Sequence, residues 1–177
     1  GPARLALPEA IDVVFNHNST SRYRSPLTGA WRNGDDLEQW LISAIAVANE
    51  EVLVAVQELS LPRIAQALIA AKQRGVLVQV ILENNYSTAW SEQRPSRLNQ
   101  RERKRWHQLN QLADSDGDGT TSPEEAFQGD AMALLKAAHI PLLDDTEDGS
   151  SGSGLMHHKF LVIDQTSVIT GSANLTG

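Results

Sequence analysis

Short β-branched apolar runs alternate along this chain with segments whose apolar residues recur at helical spacing. Ile11 to Asn16 reads as a strand. Asp35 or Asp36 then caps a helix with Leu37, Leu41, Ile45 and Ala48 on one face. Val52 to Gln57 forms the next strand, Pro62 opens a helix with Ile64, Ala65, Leu68 and Ala71 inward, and Gly75 ends it before a strand over Val76 to Leu82. The order is β-α-β-α-β. Near-continuous apolar strands separated by helices predict an α/β fold, with a mixed, partly parallel sheet and helices on both faces. Sites in such sheets gather at the carboxyl ends of the strands.

The pattern breaks in the middle. Arg94 to Arg105 carries six cations against the single acid Glu102, whereas Asp114 to Asp148 carries ten acids and only Lys136 as a fixed cation. This polarity marks an insertion, so three segments are expected: residues 1–93, an inserted 94–129, and 130–177. A helix near Asp130 to Ala138, a Gly/Ser loop from Gly149 to Gly154, and two strand-like runs, Leu155 to Asp164 and Ser167 to Thr170, complete the chain.

Composition removes some chemistry and leaves substrate open. The 177 residues suit one domain with an insertion, and the net charge of −7 means that any polyanion contact must come from a local patch. The absence of cysteine excludes disulfides and thiolate chemistry, and no apolar run is long enough to span a membrane.

Two constellations carry candidate chemistry. The first reads Met156-His157-His158-Lys159, with Asp164 ending the strand and Gly171-Ser172-Ala173-Asn174 following six residues later. Residues two apart on a strand share a face, so His157 and Lys159 project together while His158 points away. An imidazole that is largely neutral at pH 7 can attack phosphorus. Lys159, the Ser172 hydroxyl and the Asn174 amide are donors suited to the charge that builds on the phosphate oxygens. Asp164 would orient a ring or fix the turn.

The second constellation runs from Asp114 to Glu125 and fits the EF-hand calcium loop at each ligand position. Asp114, Asp116, Asp118 and Glu125 supply carboxylates, Thr120 a backbone carbonyl, Ser122 a direct or water-mediated contact, and Gly119 the sharp turn. No second loop is present to pair with it, so an affinity of about 10⁻⁴ to 10⁻³ M is expected. Ca²⁺ there would be structural or regulatory, not catalytic, and this expectation leans towards an extracytoplasmic setting. Flanking it, Arg97, Arg101 and Arg105 would form one stripe on a continuous helix, either solvated or tracking a phosphate backbone. Trp90 and Tyr86 would stack on a base or pack on the core, and His17, after the first strand, would sit near the site or on the surface.

The spacing from His157 to Asn174 resembles the HxKxxxxD…GSxN signature of the phospholipase D superfamily, and the upstream order of strands and helices is similar to that family's scaffold. The resemblance implies a two-step, metal-independent phosphodiester reaction. His157 would form a phosphohistidine, and a second histidine would protonate the leaving oxygen and then activate water. This sequence has one HxK motif, so the resemblance implies either a homodimer or a missing second half, with the chain truncated after Asn174. Asn174-Leu175-Thr176 looks like the nuclease branch, which makes nucleic acid the expected substrate. The alternatives are a phospholipase D-type lipid phosphodiesterase, or an inactive half-site acting as a calcium-dependent binding module.

Overall fold

The computed structural model describes residues 14, 20–26, 29–83, 86–144, 159–172 and 175–176. Two units emerge, Gly1–Trp40 and Leu41–Gly177. In the first, β1 (Arg22–Arg24) and β2 (Trp31–Asn33) form an antiparallel hairpin, with the Arg22 guanidinium 5.5 Å from the Trp31 ring centroid. The polar sequences Arg-Tyr-Arg and Trp-Arg-Asn lack the alternation that announces a half-buried strand, and this hairpin was not expected from sequence. The strand expected at Ile11 to Asn16 lies outside the described residues apart from Val14, which belongs to no element.

Helix α1 (Leu37–Ala46) begins where a capping aspartate was expected: the Asp36 carboxylate accepts the Gln39 N–H at 2.9 Å. Then follow β3 (Glu51–Val56), α2 (Pro62–Gln73) and β4 (Leu77–Leu82). Pro62 occupies the first turn of α2, where its missing N–H costs nothing, and Gly75 takes a φ of 92° to leave the helix. Between β4 and the next core helix come two single 3-10 turns, Trp90–Glu92 and Pro95–Arg97, then α3 (Gln100–Ala113) and α4 (Pro123–Gln128). Helix α5 (Ala131–Ala137), β5 (Leu142–Asp144), β6 (Lys159–Ile163) and β7 (Ser167–Thr170) complete the second unit.

The main sheet has the order β5-β4-β3-β6-β7. β5, β4 and β3 run parallel, whereas β6 and β7 are antiparallel, so the sheet is mixed as expected. Register decides which side chains meet. Val52, Val54 and Val56 face the same way as their partners Val78, Val80 and Leu82 on β4, and as Ile163, Leu161 and Lys159 on β6. All nine are buried.

That face meets the apolar side of α2, whose Ile64, Ala65, Leu68 and Ala71 are buried, and the core extends to Leu134 and Leu135 of α5. α2 is also tied to α5 by Lys72, whose ammonium donates 2.7 Å bonds to the carbonyls of Ala138 and His139 at the end of α5. The alternate positions Leu53, Gln79, Ile81, Phe160 and Val162 are half-buried.

Candidate phosphodiester site and calcium loop

Because β6 runs against β3 and β4, its first residue lies beside their carboxyl ends. Lys159 pairs with Val56, the last residue of β3, and is 9% exposed, on the fully buried face of the sheet. The chain after β7 returns to the same place. The Gly171 N–H donates to the Lys159 carbonyl at 3.2 Å, and Ser172 follows, exposed. Leu175 then pairs in parallel with Leu59: its N–H donates to the Glu58 carbonyl at 3.2 Å, and its carbonyl accepts from the Ser60 N–H at 2.8 Å. Buried Leu59 and Leu175 anchor this return. The backbones bearing Lys159 and Ser172 are thus brought together at the end of the sheet where α/β sites form. His157 and Asn174 lie outside the described residues; His157 precedes Lys159 by two, and Asn174 falls between Ser172 and Leu175.

Asp164 stands elsewhere. It follows Ile163, a full strand from Lys159 or roughly 16 Å away at 3.3 Å per residue. Its carboxylate accepts the backbone N–H groups of Asn49, Glu50 and Glu51 at 2.7 to 3.1 Å, at the amino end of β3. Asp164 and Gln165 both have positive φ, 51° and 56°, as a tight right-twisted hairpin turn demands. Of the two roles considered from sequence, ring orientation and turn fixation, this geometry fits the second.

The three N–H bonds, that of Glu51 foremost, hold the Asp164 carboxyl below its ordinary value of 3.8. A depressed carboxylate pKa stabilises the fold above the unfolded value, and that contribution disappears as pH falls through the folded value. Asp164→Asn should therefore lower the melting temperature by several degrees at pH 7. The gap from wild type should close as pH falls below 3.8, which melting curves across pH 2 to 7 would check.

Residues 100–128 form a helix–loop–helix. Asn99 and Glu102 make a capping box at the start of α3, and Ser122 and Glu125 make another at α4. Helix α3 therefore starts at Gln100, and Arg97 lies in a separate 3-10 turn, so the expected continuous stripe of Arg97, Arg101 and Arg105 is broken at Asn99. Trp90 is buried and packs edge-on against Trp106 at 5.9 Å, with its indole N–H directed at the Gly129 carbonyl at 3.4 Å, which makes it a core residue. Gly129 is where the second helix passes the first: a Cβ there would come within 2.5 Å of that of Ala113.

Within the loop, oxygens of Asp114, Asp116 and Asp118 lie within 4.8 Å of one another. Asp114 accepts the N–H groups of Gly117 and Gly119, and Asp118 that of Thr120, which bends the chain around the three carboxylates. Thr121 bonds the Asn110 carbonyl through its hydroxyl. Glu125 reaches across the loop: one oxygen accepts from Ser122 and the other from the Ser115 N–H and hydroxyl. These bonds, that of the Ser122 N–H foremost, push its pKa down to about 2. The group is ionised at neutral pH, and four carboxylates with a carbonyl and a hydroxyl form a hard oxygen set that suits calcium. Bidentate ligation by Glu125 would exchange its serine bonds for the ion.

Two acids at the sheet's carboxyl end were given no role at the site by the sequence reading. Glu83 follows β4, is 4% exposed, and accepts a 2.9 Å bond from the Gln57 amide. Glu58 follows β3 and forms an ion pair with Arg105 of α3, whose guanidinium also lies 5.7 Å from the Tyr86 ring centroid. The signal available for both was their place as charged residues closing an apolar run.

Residues 41–177 match the family described as cardiolipin synthase, PLD-like domain, and the chain belongs to this phospholipase D-like family, whose members are phosphodiesterases. Mitochondrial cardiolipin hydrolase of Xenopus tropicalis is 26% identical over 136 residues, which cover 77% of this chain and 44% of that protein. The chain thus spans less than half the length of this curated relative. Among solved structures, the phospholipase D family member Nuc from Salmonella typhimurium is 24% identical with a TM-score of 0.45, over 78% of this chain and 64% of that one. NucT from Helicobacter pylori is 20% identical with a TM-score of 0.47, over 80% and 68%.

Proposed function

We propose that this chain supplies one half of a phosphodiesterase site that hydrolyses nucleic acid. The observation carrying this reading is the meeting of the Lys159 strand with the Gly171–Leu175 return at the carboxyl end of β3. There His157 would attack phosphorus and displace the leaving oxygen, giving a phosphohistidine. Lys159, Ser172 and Asn174 would stabilise the charge on the non-bridging oxygens. A second histidine, from a second copy of the chain or a second motif, would protonate the leaving oxygen and then take a proton from the water that cleaves the phosphohistidine. Asp164 serves the turn and touches no substrate.

Nucleic acid is favoured over lipid by the surface. The large exposed hydrophobics among the described residues, Trp31, Val47, Leu77, Leu112 and Val168, are scattered along the sequence and build no apolar loop for docking on a bilayer. No helix among the described residues is long and apolar enough to cross a membrane. The second reading, hydrolysis of a phospholipid such as cardiolipin, rests on the family description and the named relative. Calcium at Asp114, Asp116, Asp118, Thr120, Ser122 and Glu125 would knit the insertion together without touching the phosphate.

Incubation with single-stranded DNA, RNA and cardiolipin vesicles, each with EGTA or calcium, tests the whole reading. Nucleic-acid products at equal rates in both conditions are expected, together with a melting temperature raised by calcium. Products from cardiolipin alone would establish the lipid reading, and no product from any substrate would leave a binding module.

A further inference from the structure

We infer that the start of the insertion is a nucleic-acid track that leads the substrate strand into the phosphodiester site, an inference that rests on the nucleic-acid reading above. Residues 94–105 hold six cations and one acid, a net charge of +5 in a chain of net −7, so the remaining residues carry −12. Such segregation is costly in self-repulsion unless a polyanion meets it. Glu102, the one acid, is turned back onto the Asn99 N–H at 2.9 Å. Arg103 is spent on structure, donating to the carbonyls of Pro95 and Leu98 and so holding the 3-10 turn of Arg97 against α3.

Arg94, Arg97, Arg101 and Lys104 are exposed, and none forms an ion pair among the described residues. Arg101 is the helix-surface neighbour of both Arg105, four residues on, and Lys104, three residues on. Arg105 fixes where this surface ends. Its ion pair with Glu58 docks α3 beside the residue whose carbonyl receives the Leu175 N–H, at the edge of the proposed phosphate cradle. Arg101 lies about 6 Å further along the helix axis, which is on the scale of one phosphate repeat of a single strand. The patch is therefore continuous with the proposed site. It contains no exposed large hydrophobic, which favours a nucleic-acid backbone over a membrane.

The test compares the full chain with its Arg101→Ala/Lys104→Ala variant in EGTA. Binding of a fluorescein-labelled single-stranded oligonucleotide is followed by anisotropy at several salt concentrations. Loss of two phosphate contacts should reduce the slope of log affinity against log salt by about 1.4 and weaken binding about tenfold at low salt. Hydrolysis of bis(p-nitrophenyl) phosphate, too small to reach the track, should be unchanged. Equal slopes and affinities for the two proteins would overturn the inference, as would absence of oligonucleotide binding by the wild type, or a defect confined to vesicles of anionic phosphatidylglycerol. If the wild type leaves the small diester intact, the catalytic reading fails, while the oligonucleotide slopes still decide the track.

Discussion

Replacement of His157 by alanine should reduce phosphodiester hydrolysis by a factor of about 10³ or more, with little change in melting temperature. The size follows from the role proposed for it. A nucleophile that forms the covalent intermediate has no substitute, because the role proposed for Lys159 is to donate to the phosphate oxygens, not to attack phosphorus. Strand parity makes the neighbouring residue the control. Lys159 lies on the fully buried face with Val56 and Leu161. Residues two apart on a strand share a face, so the sequence expectation would put His157 on that face and His158 on the other. His158→Ala should therefore keep most of the rate. Equal losses in the two variants, or more than about one per cent of wild-type activity in His157→Ala, would remove His157 from the reaction.

The elements easiest to read from the sequence were those whose order arises within a few residues. The start of α2 follows from Pro62, its end from Gly75, and β7 from a short apolar run after a turn; all three stand where expected. The mixed sheet was legible from the same alternation. Cap chemistry proved subtler. The arginines at 97, 101 and 105 have helical spacing, yet Asn99 and Glu102 form a capping box that starts α3 after Arg97. What joins distant segments was not legible. Arg105 and Glu58 are 47 residues apart, and the Asp164 carboxylate finds N–H groups more than a hundred residues earlier. Neither pairing leaves a local pattern. The candidate phosphodiester motif rests on residue types and spacing, and two of its members, His157 and Asn174, lie outside the described residues. Asp164 was expected to end its strand; that this places it on the N–H groups at the amino end of β3 needed the register of β6 against β3.

Asp130→Ala should be among the most destabilising single changes in the protein, by roughly 2 to 4 kcal/mol. Asp130 is 1% exposed, and both of its oxygens are committed. One accepts the N–H groups of Met132 and Ala133 and so caps α5, while the other accepts the N–H and hydroxyl of Ser91 at 2.8 and 2.7 Å. Alanine would leave these donors unpaired, with the N–H groups of Met132 and Ala133 buried and the Ser91 donors half-buried, and an unmade buried bond costs more than a made one contributes. A conservative change to asparagine at this position separates the two halves of the effect. Asparagine caps a helix about as well as aspartate, but its amide can offer only one acceptor oxygen, so the α5 bonds survive, the Ser91 N–H loses its acceptor, and the Ser91 hydroxyl must turn to accept from the amide. Asp130→Asn should fall between wild type and Asp130→Ala in urea unfolding, and equality of the two variants would mean that the α5 cap contributes nothing. Ser91 adjoins Trp90, which packs on Trp106 of α3, so this carboxylate links α5 to α3. A loosened seam would free α3 from one end while the Arg105–Glu58 pair still held it to the sheet. Asp130→Asn should accordingly weaken oligonucleotide binding less than the double substitution at Arg101 and Lys104, because it leaves every cation of the track in place.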